Sequence, residues 1–411
     1  MRLEILAVAL SFGATSLFWL VSALRMAAAD YGAMMQLQAL LLTCVALFSL
    51  RTHDLVFHLQ AHHDWALKAA WRLALRLELV LMLLGSVCVL VASHWLPLGA
   101  VDAGGPAGAA WVATVLLANL TVLQGASAAY LRARHLDRRI AAADTAATAA
   151  WLLALAYVLL TPRPATWLVL GVAFAAGAVR PLVLTALAVA PHAGTDPSAT
   201  DTPATPVLDR RRIGGFLLGG QFTNLIKNNL LSLETLLLGR LVAAEGVAVF
   251  RVARSLVNLS TVLLNISYQK SFRALAAEKD ATRRGPILRR MSRSAVKLWA
   301  VSLPPVLVAA VAFVWLKPTG YADLPWLTAL AALAALPVAL QQPHFAGLSL
   351  DGRFGRINAS YIAGFLVLVA GCALATATGH MHVTMFLILS LLAAAVRFGV
   401  MHAGARAAEP T

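Results

Sequence analysis

The sequence is poor in charged residues and in cysteine. Only 12% of its 411 residues are charged and 60% are hydrophobic, whereas a soluble protein exposes far more charge. The three cysteines, Cys44, Cys88 and Cys372, lie in apolar stretches and form no CxxC pair. They are typical of small buried side chains and exclude a disulfide or zinc framework. The composition therefore indicates an all-α integral membrane protein.

Several catalytic motifs are also absent. The sequence contains no GxxxxGK[ST], no HExxH and no GxSxG, so it has no signature of a P-loop ATPase, a zinc protease or an α/β-hydrolase. Four histidines, His53, His58, His62 and His63, lie close together in one basic stretch. They could be read as a metal cluster, but so many neighbouring Arg and Lys residues favour a solvated loop. We therefore expect no catalytic residue, no cofactor and no metal.

Long apolar stretches divide the chain into twelve predicted membrane spans. Most have about the 20 residues that a helix needs to cross a bilayer. The spans are 3–24, 33–50, 77–98, 108–131, 141–160, 165–190, 213–238, 246–268, 296–316, 324–349, 357–377 and 381–402.

The distribution of Arg and Lys predicts the orientation of these spans. With both termini in the cytoplasm, 24 of the 33 basic residues fall in inner loops or ends, four in outer loops and five within spans. That bias follows the positive-inside rule. It also accounts for the net charge of +15 through contact with anionic membrane lipids, so we predict no nucleic-acid partner.

A linker rich in Pro, Thr, Asp and Ala divides the chain in two. Residues 191–212 form this predicted cytoplasmic linker, between an N-terminal six-helix lobe (1–190) and a C-terminal six-helix lobe (213–411). The halves share a pattern in which an Arg is followed five residues later by an acid and then by Gly. In the first half this is Arg25, Asp30 and Gly32. The second half has Arg240, Glu245 and Gly246. An even number of helices per repeat predicts that the halves share one orientation in the membrane.

Polar residues inside the spans form the candidate site. A charged side chain at bilayer depth is energetically costly, so its presence there usually indicates a function. The basic residues within spans are Arg180, Lys227, Arg251, Arg254 and Arg397. In the eighth span, polar side chains recur at three- and four-residue steps and so share one helix face. The seventh span adds a second polar strip. We predict that a cationic cavity binds substrate through Gln221, Asn224, Lys227, Asn228, Arg251, Arg254 and Asn258, with Glu234 as the charge or coupling partner.

Two other interpretations of these polar residues stay open. The groups could join helices to one another through hydrogen bonds. Arg251 and Arg254 could instead extend to lipid headgroups from the end of their span, and we expect Arg180 and Arg397 to do so. Glu78 and Glu234 are the main acids that could neutralise these cations.

Three stretches resemble the superfamily of multidrug, oligosaccharidyl-lipid and polysaccharide transporters (MOP, MATE-like), and most closely its polysaccharide repeat-unit (O-antigen) flippases. One runs from Arg25 to Gly32 and a second is AAYLRARHLDRRIAAADT at 128–145. The third covers 216–259, where a polar helix and Glu234 precede LLLG and a Gly-Val-Ala-Val-Phe entry to the next helix. The sequence departs from the family in having Glu where Asp is more usual, and in the two arginines Arg251 and Arg254.

The resemblance implies two lobes that alternate in access to a central cavity. Its substrate would be an undecaprenyl-pyrophosphate-linked oligosaccharide in the bacterial inner membrane, with membrane lipids and a glycan polymerase or glycosyltransferase complex as partners. Arg and Lys suit a pyrophosphate. The alternatives are a MATE-like multidrug or metabolite antiporter, a membrane enzyme such as a ligase or polymerase, and a scaffold for glycan assembly. An antiporter of cationic drugs would favour an acidic cavity, and the short outer loops leave little room for an enzyme site.

Overall fold

The computed structural model describes residues 2–50, 52–63, 65–95, 106–162, 164–190, 210–277, 281–350 and 353–406. All regular structure within those ranges is helical, which confirms the predicted all-α class. In chain order the helices are α1 (Arg2–Arg25), α2 (Ala28–Phe48), α3 (Thr52–His63), α4 (Leu67–Trp95), α5 (Pro106–Leu120), α6 (Gln124–Ala133), α7 (Asp137–Leu160), α8 (Thr166–Val189), α9 (Arg210–Leu241), α10 (Ala244–Ala277), α11 (Ala281–Leu316), α12 (Leu324–Leu350), α13 (Phe354–Ala377) and α14 (Val383–Arg406).

These helices account for all twelve predicted spans. Within the described residues, nine helical segments are long and apolar enough to cross a membrane, and α1 contributes a shorter apolar segment, Leu10–Arg25. The seventh and eighth spans correspond to α9 and α10. The fourth span is divided into α5 and α6 by one 3-10 turn, Thr121–Leu123.

Several helices extend beyond the predicted spans. α11 has 36 residues and begins fifteen residues before its predicted span, because its first part is a basic helix that hydropathy alone does not detect. For the same reason α4 begins at Leu67 rather than at 77. α3 lies in a stretch that we interpreted only as a basic loop. It is a helix because Leu55, Val56 and Leu59 bury one face in the core that includes Trp71 and Tyr130.

The described chain forms two compact units. Unit 1 comprises residues 1–18 and 37–232, and unit 2 comprises 19–36 and 233–411. The helices α1, α2 and α9 therefore each contribute residues to both units, whereas the sequence predicts lobes that meet at 191–212. Residues 191–209 of that linker lie outside the described residues, and the lobe boundaries remain a prediction.

In unit 1, α8 packs against α5, α6 and α7, and α3 packs against α4 and α6. The break between α5 and α6 is stabilised by Glu78 of α4. Its Oε1 accepts a hydrogen bond of 2.8 Å from the Ala126 amide and another from the Thr52 hydroxyl. A carboxylate at the first turn of α6 accepts hydrogen bonds from amide groups that the helix itself leaves unbonded. Its negative charge also interacts favourably with the positive end of the helix dipole. Thus a buried acid fixes a helix start at membrane depth.

In unit 2, α12 packs against α10, α11 and α14, and α13 packs against α14. The two copies of the Arg–acid–Gly pattern also contact each other in this unit. α1 is joined to α2, and α9 to α10, by two residues in each case. At Gly32, a Cβ atom would lie only 1.8 Å from the carbonyl oxygen of Ala244. The glycine of the repeat is therefore required because one helix start lies directly against the other.

The C-terminal end of α1 is capped within unit 2 by Lys317, which follows α11. Its Nζ donates hydrogen bonds to the carbonyl oxygens of Ala23 (2.7 Å), Leu24 (3.3 Å) and Met26. A cation at this position satisfies carbonyl groups and complements the negative end of the helix dipole. This contact explains one of the few basic residues that the sequence places in an outer loop.

Candidate functional site: an arginine cluster in unit 2

Four charged side chains from three helices come together inside unit 2. We call Glu234 of α9, Arg251 and Arg254 of α10 and Arg397 of α14 the arginine cluster. Arg254 Nη2 lies 2.6 Å from Glu234 Oε2, and these side chains are 14% and 5% exposed. Arg251 and Arg397 are buried as well, with exposed fractions of 7% and 6%.

Hydroxyl groups complete the surroundings of Glu234 and Arg251. Ser390 donates a hydrogen bond of 3.3 Å to Glu234 Oε1, and Arg251 Nη1 donates one of 3.4 Å to the Thr235 hydroxyl. Arg251 also interacts electrostatically with Arg254 and with the buried Tyr31. The arginines thus remain at membrane depth through neighbours from several helices.

The charges of the cluster do not balance among the described residues. Arg397 interacts electrostatically with both Glu234 and Arg254, and Arg254 is paired with Glu234, so two guanidinium groups lie near one carboxylate. Like charges repel strongly in a medium of low dielectric constant, and buried cations without enough acids are expensive. Such an arrangement is suited to binding an anion.

Sequence prediction and structure agree on part of this cluster. Glu234, Arg251 and Arg254 were predicted as site residues, and the structure brings all three together. Their roles in binding remain predictions. Glu234, which we predicted as the charge or coupling partner, is paired with Arg254. The side chains of Asn224, Lys227 and Asn228 lie outside the described part of the chain.

The structure also describes the predicted residues Gln221 and Asn258. Gln221 belongs to unit 1, where its Nε2 donates hydrogen bonds to the carbonyl oxygens of Ala46 (3.0 Å) and Leu47 (3.4 Å). Asn258 is exposed on α10. Both residues remain candidate contacts for a sugar.

The prediction that Arg397 extends to the headgroups is wrong, because its side chain is almost fully buried. The sequence contained a signal that could have identified it. Ser390 and Arg397 stand two turns apart on the otherwise apolar α14, and this spacing places them on one helix face.

Arg180, which we expected to extend to lipid headgroups, contacts side chains within unit 1. Its Nε lies 2.6 Å from Asp144 Oδ1, and its Nη1 donates a hydrogen bond of 3.0 Å to Gln124 Oε1. Asp144 is 3% exposed. We predicted Glu78 and Glu234 as the main neutralising acids. Asp144 was not predicted, although it lies inside the predicted fifth span.

The basic stretch with four histidines shows contacts for one of them. His53 Nε2 lies 3.1 Å from Arg132 Nη1, and its Nδ1 lies 3.3 Å from Asp54 Oδ1. The side chains of His58, His62 and His63 are not among the described ones. Within the residues that the structure describes, no group of three or more His, Cys, Asp or Glu side chains could hold a metal ion.

Comparison with solved structures identifies the fold. The chain is similar to a multidrug resistance MATE family transporter of the MOP superfamily in its inward-facing conformation, with a TM-score of 0.70 and 15% identity over 97% of this chain and 94% of that one. A MATE structure in the bent conformation gives 0.63 and 15% identity over 98% and 93%. The eukaryotic MATE transporter AtDTX14 gives 0.51 and 11% identity over 98% and 94%.

No protein-family model matches the sequence, and no curated protein matches it. The structural similarity nevertheless covers nearly the whole chain in all three cases. The protein therefore has the fold of the MATE transporters of the MOP superfamily.

Proposed function

We propose that the protein transports an anionic lipid-linked oligosaccharide, anchored by undecaprenyl pyrophosphate, across the bacterial inner membrane. The observation that carries this proposal is the arginine cluster, in which Arg251 and Arg397 are buried and Arg254 is paired with the buried carboxylate of Glu234. A pyrophosphate is a strong multivalent anion, and guanidinium groups bind its oxygens through charge-assisted pairs of hydrogen bonds. The fold supports movement by alternating access of a transporter rather than catalysis.

Each site residue has a role in this proposal. The cations contact the pyrophosphate or acidic sugars, the amides donate hydrogen bonds to sugar hydroxyls, and Glu234 serves as a counter-ion in the absence of substrate. The cations are Lys227, Arg251 and Arg254, and the amides are Gln221, Asn224, Asn228 and Asn258. An ion pair of 2.6 Å between Glu234 and Arg254 supports the role of a counter-ion, because an anion that reaches Arg254 can replace the carboxylate.

Orientation and partners follow from the charges of the loops. We place both termini in the cytoplasm, since the basic loops would then face the anionic inner leaflet. Export of the glycan would serve envelope or exopolysaccharide synthesis, with a glycosyltransferase or polymerase complex as the partner on either side of the transport step.

A second candidate function is that of a MATE-like multidrug or metabolite antiporter. It is favoured by the similarity to a multidrug resistance MATE transporter, with a TM-score of 0.70. The two functions differ in the charge of the cargo. A cationic drug would be repelled by the arginine cluster, whereas a lipid pyrophosphate would be attracted.

Reconstitution of the full chain into proteoliposomes tests the proposal. A fluorescent polyprenyl-pyrophosphate oligosaccharide is incorporated, and its translocation is scored by access of an impermeant glycosidase. We expect protein-dependent translocation that falls strongly with Lys227→Ala and with Arg251→Ala/Arg254→Ala. Efflux of a cationic dye down a proton or sodium gradient, without lipid translocation, would contradict the proposal and select the antiporter.

A further inference from the structure

Arg397 of α14 is a buried cation with an unsatisfied hydrogen-bond donor among the described residues. Its side chain is 6% exposed, and its Nε is buried with no hydrogen-bond partner in that part of the chain. An ionised guanidinium that is removed from water is normally paired and fully hydrogen-bonded. The Nε donor of Arg397 therefore lacks an acceptor among the described residues.

The side chain of Arg397 is held in place by α13. A Cβ atom at Gly364 would lie 2.4 Å from Arg397 Cγ and 2.8 Å from the carbonyl oxygen of Ala393, so the glycine provides the space for the arginine stem. On the same helix, the ring centroid of Tyr361 is 5.5 Å from the guanidinium carbon. This cation–π contact orients the guanidinium but accepts no strong hydrogen bond from its edge.

Among the described residues, Arg397 shares its neighbouring acid with a second arginine. Glu234 is the acid that interacts with it electrostatically, but Oε2 of that carboxylate is bound to Arg254 and Oε1 to the Ser390 hydroxyl. Arg254 itself adds a second positive charge nearby. Tyr361 completes the surroundings and is hydrogen-bonded to Gln341 of α12. Two guanidinium groups thus share one carboxylate that is bonded to only one of them.

We propose that Arg397 is the centre of an anion-binding site within unit 2 that takes a phosphoryl oxyanion, with Arg254 as the second cationic contact. A guanidinium edge matches two oxygens of such a group. Free inorganic phosphate and a lipid pyrophosphate both present this chemistry. The site does not depend on transport, but the assignment of its phosphoryl group to a lipid substrate rests on the proposed function.

Thermal unfolding of the purified full chain in detergent, followed by tryptophan fluorescence, tests the site. Buffer without added salt provides the baseline, and sodium phosphate, pyrophosphate or chloride is added to the same ionic strength. We expect phosphate and pyrophosphate to raise the Tm saturably, because a ligand that binds only the folded state stabilises it. We expect chloride to have little effect, since it cannot bridge two donors of one guanidinium edge as an oxyanion does.

Substitutions test whether Arg397 is responsible for the phosphate-dependent rise in Tm. Arg397→Gln should weaken the apparent affinity for phosphate by about tenfold or more, the loss expected for one hydrogen bond between charged groups. Arg356→Gln is the matched control, because Arg356 is satisfied by the carbonyl oxygen of Gly404 near the C-terminal end of α14 and should leave the phosphate effect unchanged. Should Arg397→Gln not fold, Arg397→Lys carries the test, since it keeps the charge but loses the planar fork.

Three results would overturn the site: no phosphate-dependent Tm shift in the parent protein, an unchanged phosphate affinity in the Arg397 variants, or an equal shift with chloride. The lipid assignment is tested separately in proteoliposomes. Phosphate binding at Arg397 without lipid translocation would retain the site and contradict the proposed function, and lipid translocation without phosphate binding would do the reverse.

Discussion

The buried pair of Glu234 and Arg254 predicts an unequal response to removal of its two charges. In Glu234→Gln, Arg254 loses the carboxylate with which it is paired, and Arg397 loses the acid with which it interacts electrostatically. Breaking a buried pair in this way costs about 3–5 kcal/mol, because the remaining cation is left uncompensated. In Arg254→Gln the carboxylate keeps the Ser390 hydroxyl and the nearby Arg397. We therefore expect a smaller cost, at or below about 3 kcal/mol on the same scale.

Unfolding in mixed micelles with increasing SDS, followed by tryptophan fluorescence, measures both costs. The double variant Glu234→Gln/Arg254→Gln should recover part of the loss, with a coupling energy of about 1–3 kcal/mol. Arg290→Gln, at an exposed position of α11, is the control and should change the stability by less than about 0.5 kcal/mol. Equal costs for the two single variants, or additive costs in the double variant, would refute the reasoning that the cluster has an excess of positive charge.

Three other variants test the contacts that build the two units. Gly32→Ala should destabilise the fold by about 1–3 kcal/mol or more, because its Cβ would meet the Ala244 carbonyl, whereas Gly13→Ala, with open space around it, should be neutral or stabilising. The same micelle titration measures both, and equal effects would contradict the close contact. Lys317→Met should lower thermal stability by about 1–2 kcal/mol through loss of the cap on α1, and an unchanged Tm would contradict that role. Glu78→Gln should speed amide hydrogen exchange at the start of α6, since an amide is a weaker acceptor than a carboxylate, and unchanged exchange there would contradict the cap.

Much of the fold could be predicted from the sequence, because a helix that crosses a bilayer needs mainly sufficient length and hydrophobicity. Apolar length located a helix at each of the twelve predicted spans, and nine described helical segments are long and apolar enough to cross a membrane. The same criteria missed α3 and the first part of α11, because these helices are stabilised by packing or extend beyond the apolar region. Apolar length and charge also could not predict the contact between Gly32 and Ala244. The only sign of such a long-range backbone contact in the sequence is the glycine itself.

The candidate site was predictable to the extent that polar residues share a helix face. Arg251 and Arg254 were identified in this way, and Glu234 through its position before them. Arg397 was missed because its position near the inner end of a span suggested contact with headgroups. Its burial follows from Gly364 on another helix, and such a pairing is not visible in one sequence.

Recognition of an anionic cargo is what separates the proposed function from that of a cation antiporter. The most direct measurement is the translocation rate in proteoliposomes of two lipids with the same glycan, one linked through pyrophosphate and one through an uncharged linkage. The account predicts rapid protein-dependent translocation of the pyrophosphate lipid and little of the neutral one, with the difference reduced in Arg251→Ala/Arg254→Ala. Equal rates for the two lipids in the parent protein would contradict it.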